Sequence, residues 1–176
     1  NISFIETLPT PYRTHKEPKT FNYQYINYNK GENLLLEGYF QSEKYFINNK
    51  DYIINLFKPT ENIKQIILER LPNVQDSISI HIRRGDYLVH ENHNVMNDDY
   101  YYKAIDYIKR HVSNPLFYVF SDDIEYIRAT YNILGDAVFI DHNKGEEAYW
   151  DIFLMSKCKH NIIANSGFSY WRCHRF

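Results

Sequence analysis

Residues 77–87, which read SISIHIRRGDY, constrain the fold of this chain more than any other stretch. Three isoleucines alternate with other residues, a pattern that predicts a β-strand. The strand ends directly in two adjacent arginines, Arg83 and Arg84. In an open α/β sheet the ligand crevice lies at the carboxyl ends of the strands, and two planar guanidinium groups suit the oxygens of a diphosphate. The stretch therefore predicts an anion site for a phosphorylated ligand.

The composition is typical of a globular domain and excludes some classes of ligand. The chain has 176 residues, of which 44% are hydrophobic and 24% are charged. Its formal net charge is -2, so no overall positive field attracts nucleic acid or an acidic membrane surface. No apolar run reaches the length of about 18 residues that a transmembrane helix needs. The two cysteines have the spacing of neither a disulfide framework nor a metal site.

From residue 77 onward, strand and helix patterns alternate. We predict strands at 78–82, 116–120, 137–140 and 160–164, with helices between them at 98–112, 121–134 and 146–158. Asp122 and Glu125 form a capping-box pattern at the start of the second helix, and Gly135 follows its end. This order predicts the α/β class, with a parallel sheet flanked by helices and joined by right-handed crossovers.

The part of the chain before residue 77 is less regular. We expect loop or edge-strand material in residues 1–30 and a short strand at 33–39. A helix should begin at Ser42 and stop before Pro59, and a second helix should cover 60–71 with Thr60 as its N-cap. We place a candidate boundary within residues 58–76, which divides the chain into segments 1–72 and 73–176.

Polar side chains follow three of the predicted strands, and the carboxyl ends of parallel strands meet at one edge of a sheet. The three loops are Arg83-Arg84-Gly85-Asp86, Ser121-Asp122-Asp123 and Asn165-Ser166-Gly167-Phe168-Ser169. The second and third loops approach helix starts, where free backbone N–H groups attract anions. The clustering of the loops supports a binding site more strongly than any one motif does.

Each of these features also has a simpler interpretation. A surface ion pair with Asp86 would account for the arginines, and a helix cap would account for the second loop. The adjacent aspartates Asp122 and Asp123 suggest a divalent cation, but no third oxygen ligand is evident. His81 lies among isoleucines and fits a core position.

Two further motifs remain as weaker alternatives. His90 and His93 lie in a polar loop and would bind a metal only with partners that the sequence does not identify. Residues 84–86 read RGD, the composition of an adhesion motif. Adhesion needs an exposed, flexible loop tip, whereas this triplet follows a strand of the buried type.

Five ordered segments carry a resemblance to a known family. They are 38–46 (GYFQSEKYF), 81–87 (HIRRGDY), 100–108 (YYYKAIDYI), 117–123 (FYVFSDD) and 146–171 (EEAYWDIFLMSKCKHNIIANSGFSYW). In this order they resemble the conserved segments of the α-1,2-fucosyltransferases, glycosyltransferase family 11, whose arginine motif is HxRRGDY. The resemblance covers nearly everything between residues 38 and 171.

The resemblance implies a fold and a reaction. The fold is GT-B, of which this chain would supply the C-terminal, Rossmann-like domain that binds the donor. The donor would be GDP-fucose, transferred with inversion to the 2-hydroxyl of a galactose in a glycan. No metal or other cofactor is expected.

The resemblance also implies roles for individual residues. An arginine of the Arg83-Arg84 pair would bind the diphosphate and stabilise the charge on departing GDP. Asp86 and Glu91 are two candidates for the general base, and neither is favoured. The expected donor-binding residues are His81, Arg83, Arg84, Asp86, Ser121, Asp122, Asp123, Asn165, Ser166, Phe168 and Ser169.

The sequence departs from the family pattern in several places. The glycine-rich GGLGNQMFQYA segment of the family is absent, and after residue 171 the chain reads RCHRF. Gly167 stands where the family usually has Ser, and Tyr170 where it usually has Trp. We therefore interpret the chain as a fragment, with the tail of an acceptor-side domain and linking helices in 1–72 and a truncated donor-binding domain in 73–176.

The expected partners are a nucleotide-sugar donor and a glycan acceptor, without nucleic acid or an obligate protein partner. The resemblance suggests the bacterial cytoplasm, with peripheral association at the inner face of the cytoplasmic membrane, or the Golgi in a eukaryote. Two alternatives stay open: an inactive truncated remnant that at most binds GDP, and a related transferase that uses another nucleotide sugar.

Overall fold

The computed structural model describes residues 7, 9–18, 22–56, 58–71, 76–89 and 96–172. Packing divides the chain into two compact units, residues 1–53 and 54–176. In the first unit, strands β1 (Arg13–Lys16) and β2 (Leu34–Glu37) pair in parallel. The sequence-based division between residues 72 and 73 stays a prediction.

The segment after Ser42 forms several short elements in place of one long helix. Two 3-10 turns, Glu43–Tyr45 and Ile47–Asn49, precede helix α1 (Lys50–Leu56). Ser42 makes no side-chain capping bond, and Phe46, between the turns, has φ −130° and ψ 10°. The prediction of a continuous helix is therefore wrong here. The adjacent asparagines at 48 and 49 offer a physical reason, because Asn side chains compete for backbone hydrogen bonds in helices.

The second unit contains a four-stranded parallel sheet in the order β5-β4-β3-β6. The strands are β3 (Ser77–Ile82), β4 (Leu116–Ser121), β5 (Val138–Ile140) and β6 (His160–Ile162). All six side chains of β3 are buried, and this strand lies between β4 and β6. The arginine loop therefore leaves from an interior strand of the sheet.

Helices cover both faces of this sheet. They are α2 (Glu61–Arg70), α3 (Asp98–His111), α4 (Ile124–Thr130), α5 (Tyr149–Lys157) and α6 (Gly167–Arg172). The isoleucines of β3 pack with Tyr101 of α3 and Ile127 of α4, whereas Tyr118 of β4 packs with Ile67 of α2 and Leu154 of α5. Successive side chains of a strand point to opposite faces of the sheet. The two clusters of buried side chains therefore lie on opposite faces. The predicted Rossmann-like α/β architecture is confirmed.

Element ends differ from the predictions by a few residues. Helix α4 stops at Thr130 and is followed by a 3-10 turn, Asn132–Leu134, which Gly135 ends with φ +61°. Helix α5 is preceded by another such turn, Gly145–Glu147. Within the described part of the chain, none of the helices has the length and apolarity needed to span a membrane.

Candidate functional site

Arg83 lies directly after β3 and is held between two carboxylates. Its Nη2 donates to Oδ1 of Asp86 at 2.5 Å, and its Nη1 lies 3.1 Å from Oδ2 of Asp122. One third of the Arg83 side chain is exposed, and the Asp86 side chain is 49% exposed. Exposed ion pairs of this kind contribute little free energy. Asp86 can therefore leave Arg83 at a small cost.

Arg84 lies deeper, with 16% of its side chain exposed. Its Nε donates to Oδ2 of Asp123 at 3.3 Å, and its Cζ lies 3.2 Å from the ring centroid of Tyr126. Its backbone N–H donates to Oδ1 of Asp122 at 2.9 Å. The two neighbouring arginines thus differ in accessibility: Arg83 faces solvent, and Arg84 is packed against α4.

The two aspartates after β4 have different roles from the predicted ones. Asp123 is the N-cap of α4, and its Oδ1 accepts a hydrogen bond from the backbone N–H of Tyr126 at 3.3 Å. Asp122 instead contacts Arg83 and the backbone of Arg84. The predicted capping box with Asp122 is therefore wrong. The reason is the strand register, which sets Ile82 opposite Ser121 and brings Asp122 beside the neighbouring loop.

Ser121 joins the ends of the two strands. Its Oγ donates to the carbonyl oxygen of Ile82 at 2.7 Å and accepts from the backbone N–H of Asp123 at 3.0 Å. One hydroxyl thus satisfies a backbone group at the end of β3, directly before the arginine loop, and another in the loop after β4. It sets the spacing between the arginines and the aspartates.

The third loop contacts strand β3, two residues before Arg83, through a pair of rings. His81, the fifth residue of β3, is 5% exposed, and its ring centroid lies 5.5 Å from that of Phe168 in α6. His81 therefore occupies the core position that one interpretation of the sequence assigned to it. Its position also brings α6 to the edge of the sheet where the arginines lie.

The polar residues around α6 fall into two groups. Ser169 is fully buried, and its Oγ donates to the carbonyl oxygen of Ala164 at 3.2 Å. Ser166 is partly buried and accepts a hydrogen bond from the backbone N–H of Phe168 at 3.3 Å, whereas Asn165 is exposed. Asn165 and Ser166 are therefore accessible to solvent, and the Ser169 hydroxyl supports the turn.

The charges of the first two loops nearly cancel. Three aspartates outnumber the two arginines that they contact by one. Asp86 has the most exposed carboxylate of the three, ahead of Asp123 at 38% and Asp122 at 23%. An anionic ligand that binds Arg83 would therefore do so most readily by replacing Asp86.

Tyr101 lies beneath this loop, with 1% of its surface exposed. Burial raises the pKa of its phenol well above the usual range, and the neighbouring Tyr100 raises it further. Among the described residues its hydroxyl has no hydrogen-bond partner. Tyr101 therefore stays protonated at neutral pH and cannot serve as a base.

Several predicted residues cannot be placed. Glu91, one of the two candidates for the general base, lies outside the described residues, as do His90 and His93. Among the residues that the structure describes, no group of three His, Cys, Asp or Glu side chains is arranged to hold a metal ion.

Sequence reasoning missed the aromatic support of Arg84. The hydroxyl of Tyr126 donates to Oδ2 of Asp98 at 3.2 Å, and the hydroxyl of Tyr131 donates to Oδ1 of the same carboxylate at 2.5 Å. No spacing rule connects residues 84, 98 and 126, because they come from separate elements. A tyrosine three residues after the capping Asp123 was the available signal.

A second polar cluster, also missed, joins α2 to α5. Arg70 Nη1 donates to Oδ1 of Asn143 at 3.0 Å, and Nδ2 of Asn143 donates to Oδ1 of Asp151 at 2.7 Å. Burial raises the pKa of Asp151 to about 6, although Asn143 and Arg70 act in the opposite direction. Arg70 also lies over the Trp150 ring, 5.1 Å from its centroid.

Comparison with known proteins identifies relatives of this chain. The family profile described as Glycosyl transferase family 11 matches residues 10–174. An alpha-1,2-colitosyltransferase of Escherichia coli is 37% identical over 143 residues, which cover 76% of this chain and 48% of the relative. The O-antigen biosynthesis glycosyltransferase WbnK of Escherichia coli is 35% identical, covering 77% and 48%.

A more distant relative comes from an animal. A galactoside 2-alpha-L-fucosyltransferase of Caenorhabditis elegans is 33% identical over 150 residues, which cover 78% of this chain and 41% of the relative. The chain thus spans about half the length of the curated relatives that it matches.

Proposed function

Because this chain belongs to glycosyl transferase family 11, we propose that it binds GDP-fucose and transfers the fucose to the 2-hydroxyl of a galactose in a glycan. The observation that carries the proposal is the arginine pair at the carboxyl end of a central parallel strand, held by aspartates from the next loop. The sheet of the second unit would form the donor-binding domain of a GT-B enzyme. Relatives named as galactoside fucosyltransferases support the choice of substrates.

Arg83 is the residue we assign to the diphosphate first. It is more exposed than Arg84, and its partner Asp86 is the most exposed carboxylate of the cluster. A phosphate that replaces Asp86 would exchange one charge-assisted hydrogen bond for another. Arg83 would then stabilise the negative charge that develops on GDP as the glycosidic bond breaks.

The transfer is a displacement at C1 of fucose. The acceptor's 2-hydroxyl oxygen forms a bond to C1, and the bond from C1 to the β-phosphate oxygen breaks with its electron pair remaining on GDP. The proton of the hydroxyl passes to a carboxylate. Attack from the face opposite the leaving group inverts the anomeric centre.

Asp86 and Glu91 remain the two candidates for that carboxylate. Asp86 has the advantage that the diphosphate would release it from Arg83 at the moment the donor binds. A carboxylate freed in this way would lie close to the reacting bond and would be ready to accept a proton.

A second candidate function differs in the sugar. One relative, 37% identical, is named as an alpha-1,2-colitosyltransferase. Colitose differs from fucose by the absence of the 3-hydroxyl, so both sugars present the same diphosphate to the arginines. The residues described here bear on the nucleotide part of the donor, which the two donors share.

A transfer assay tests the proposal and separates its alternatives. The 176-residue chain is incubated with a phenyl β-galactoside and either GDP-fucose, GDP-colitose or UDP-galactose, and the linkage of any product is read by NMR. We expect an α-1,2-linked fucoside, and a turnover at least 100-fold lower for Arg83→Ala. Arg110→Ala is the matched control, because Arg110 is 70% exposed on α3 and its one ion pair with a described residue is to Asp106, one helical turn away.

Three outcomes would contradict the proposal. A product from GDP-colitose alone would assign the second candidate function. GDP binding without turnover would identify an inactive remnant. Equal loss of activity in the Arg83 and Arg110 variants would remove the arginine site from the reaction.

We also propose that the protein works at the inner face of a bacterial cytoplasmic membrane, where surface glycans are made. The name of one relative, an O-antigen biosynthesis glycosyltransferase, supports this location. Fractionation of cells of the source organism, with antibodies against this chain, would test it. Recovery only in a secreted fraction would be the contrary result.

A further inference from the structure

Arg84 is held on three sides by residues of the described chain. Its backbone N–H is bound to Asp122, its Nε to Asp123, and its guanidinium plane lies on the Tyr126 ring with Cζ 3.2 Å from the centroid. The two Nη groups make no hydrogen bond to any residue that the structure describes. The guanidinium is therefore oriented, and the edge formed by its two Nη groups is left available.

Tyr126 is itself fixed at both ends. Its backbone N–H donates to the capping carboxylate of Asp123, and its hydroxyl donates to Oδ2 of Asp98 at 3.2 Å. The other oxygen of Asp98 accepts from the hydroxyl of Tyr131, a residue that is 2% exposed. A chain of contacts thus runs from the core of the domain to Arg84.

We propose that Tyr126 is a positioning residue of the donor site, which holds Arg84 so that its Nη edge donates to the diphosphate. The inference rests on the proposed function for the identity of the ligand. A cation on an aromatic face is stabilised without losing its in-plane donors, so the ring orients Arg84 and leaves its hydrogen-bonding capacity intact. A guanidinium that is already oriented loses less conformational entropy when the ligand binds.

The charge pattern around Arg84 agrees with this role. Asp123 occupies only the Nε side, at 3.3 Å, and the bond at 2.9 Å to Asp122 comes from the backbone. No described carboxylate occupies the Nη edge, in contrast to Arg83, where both Nη atoms have carboxylate partners. A diphosphate can therefore contact Arg84 without first displacing a side chain.

Tyr102 provides a matched control for the packing contribution of a tyrosine. Like Tyr126, it is partly buried against the same hydrophobic cluster. Its ring stacks on Tyr131 with centroids 5.2 Å apart, and its hydroxyl donates to the carbonyl oxygen of Thr130 at 2.9 Å. It contacts none of the arginines of the site.

The experiment compares Tyr126→Leu, Tyr126→Phe and Tyr102→Leu in binding and in stability. Binding is measured by calorimetry with GDP, inorganic pyrophosphate and guanosine, and stability by urea unfolding. We expect Tyr126→Leu to bind GDP and pyrophosphate about tenfold more weakly, as the loss of a partly desolvated cation–π contact predicts. Guanosine binding should not change, and Tyr126→Phe, which keeps the ring, should recover most of the lost affinity.

A merely structural role predicts a different result. Tyr102→Leu should lose stability to a similar extent and keep wild-type affinity for all three ligands. If Tyr102→Leu and Tyr126→Leu weaken GDP and pyrophosphate equally, or if Tyr126→Leu weakens guanosine as much as GDP, the positioning role is wrong.

The same measurements distinguish this inference from the proposed donor. A wild-type chain that binds pyrophosphate but not GDP would contradict the proposal that GDP-fucose is the donor. The comparison of the Tyr126 variants would then still be decided by their affinity for pyrophosphate. A chain that binds neither would overturn both.

The ¹⁵Nε–¹Hε NMR signal of Arg84 provides a test that needs no ligand. We expect its ring-current shift to disappear in Tyr126→Leu and to persist in Tyr126→Phe. An unchanged shift in Tyr126→Leu would also contradict the inference.

Discussion

The carboxylate of Asp122 occupies the space in which a side chain on residue 85 would have to begin. A Cβ atom built on Gly85 would lie 3.2 Å from Cγ of Asp122 and closer still to its Oδ2. Both oxygens of that carboxylate are engaged, one by Arg83 and the other by the backbone of Arg84. Residue 85 must therefore be a glycine as long as the Asp122 side chain keeps this position.

Replacement of Gly85 by alanine should damage the site more than the fold. The added methyl group would rotate the short Asp122 side chain away and break its contacts with the arginine loop. We expect GDP binding, measured by calorimetry, to weaken about tenfold. In an Asp122→Ala background the clash is absent, so Gly85→Ala should then have little further effect; additive losses in this double-mutant cycle would contradict the explanation.

Asp86→Asn should bind GDP more tightly than the wild type. The substitution removes the charge that competes with phosphate for Arg83, and exposed ion pairs contribute up to about 1 kcal/mol. We expect the Kd for GDP to fall about two- to fivefold. An unchanged or higher Kd would mean that Asp86 does not compete with the ligand.

The same variant addresses the identity of the base. If Asp86 accepts the proton, Asp86→Asn will lose about 100-fold or more in kcat while it binds GDP well. If Glu91 accepts it, Glu91→Gln will show that loss instead. Saturating donor in both assays separates the chemical step from the change in affinity.

Asp151→Asn should change how stability depends on pH. The folded-state pKa of Asp151 is raised from its ordinary 3.8 to about 6, chiefly by burial. The folded chain therefore binds this proton more tightly than the unfolded chain, and the stability that this provides below pH 4 is lost as the pH rises through 6. The loss amounts to about 2 to 3 kcal/mol.

Urea unfolding between pH 4 and 8 checks this expectation. Asparagine keeps an oxygen that can accept the hydrogen bond from Asn143 but carries no charge to bury. The variant should therefore be more stable than the wild type above pH 6, with a difference that vanishes at acidic pH. A constant difference across the range would show that Asp151 is not the titrating group.

Ser121→Ala should reduce both stability and GDP affinity. Its hydroxyl is the link between the carbonyl of Ile82 and the backbone N–H of Asp123. We expect a loss of about 1 kcal/mol in unfolding free energy and a severalfold rise in the Kd for GDP. Ser121→Thr keeps the hydroxyl and should restore both; failure of threonine to restore either would indicate that the link is not the cause.

Much of the second unit could be predicted because its strands and helices follow from patterns of residues close together in the sequence. The alternating isoleucines of β3 and the run of apolar residues in β4 both indicate strands, and the structure shows that the polar face of β3 is buried as well. The proximity of the first two polar loops followed from the rule that parallel strands end at one edge. The 3-10 turns around residues 43–49 were not predicted, because the apolar spacing of this segment suits a continuous helix and does not show that Phe46 leaves the helical region.

The roles of individual polar side chains depended on distances across strands. Asp122 and Asp123 are equivalent as capping residues in the sequence, and only the strand register assigns one to Arg83 and the other to α4. The same holds for Tyr126, whose contact with Arg84 joins residues separated by 42 positions. Sequence patterns identified the residue types at the site, and tertiary geometry determined their partners.

The bond between Arg83 and Asp86 makes the site selective among anions. Asp86 is attached to the chain three residues away, so it competes for Arg83 as a tethered group with an effective concentration in the millimolar range. An inorganic phosphate that displaced Asp86 would gain Arg83 alone. A diphosphate reaches the unoccupied edge of Arg84 as well, so we expect an internal counterion to shield this loop from abundant small anions while leaving it open to a nucleotide.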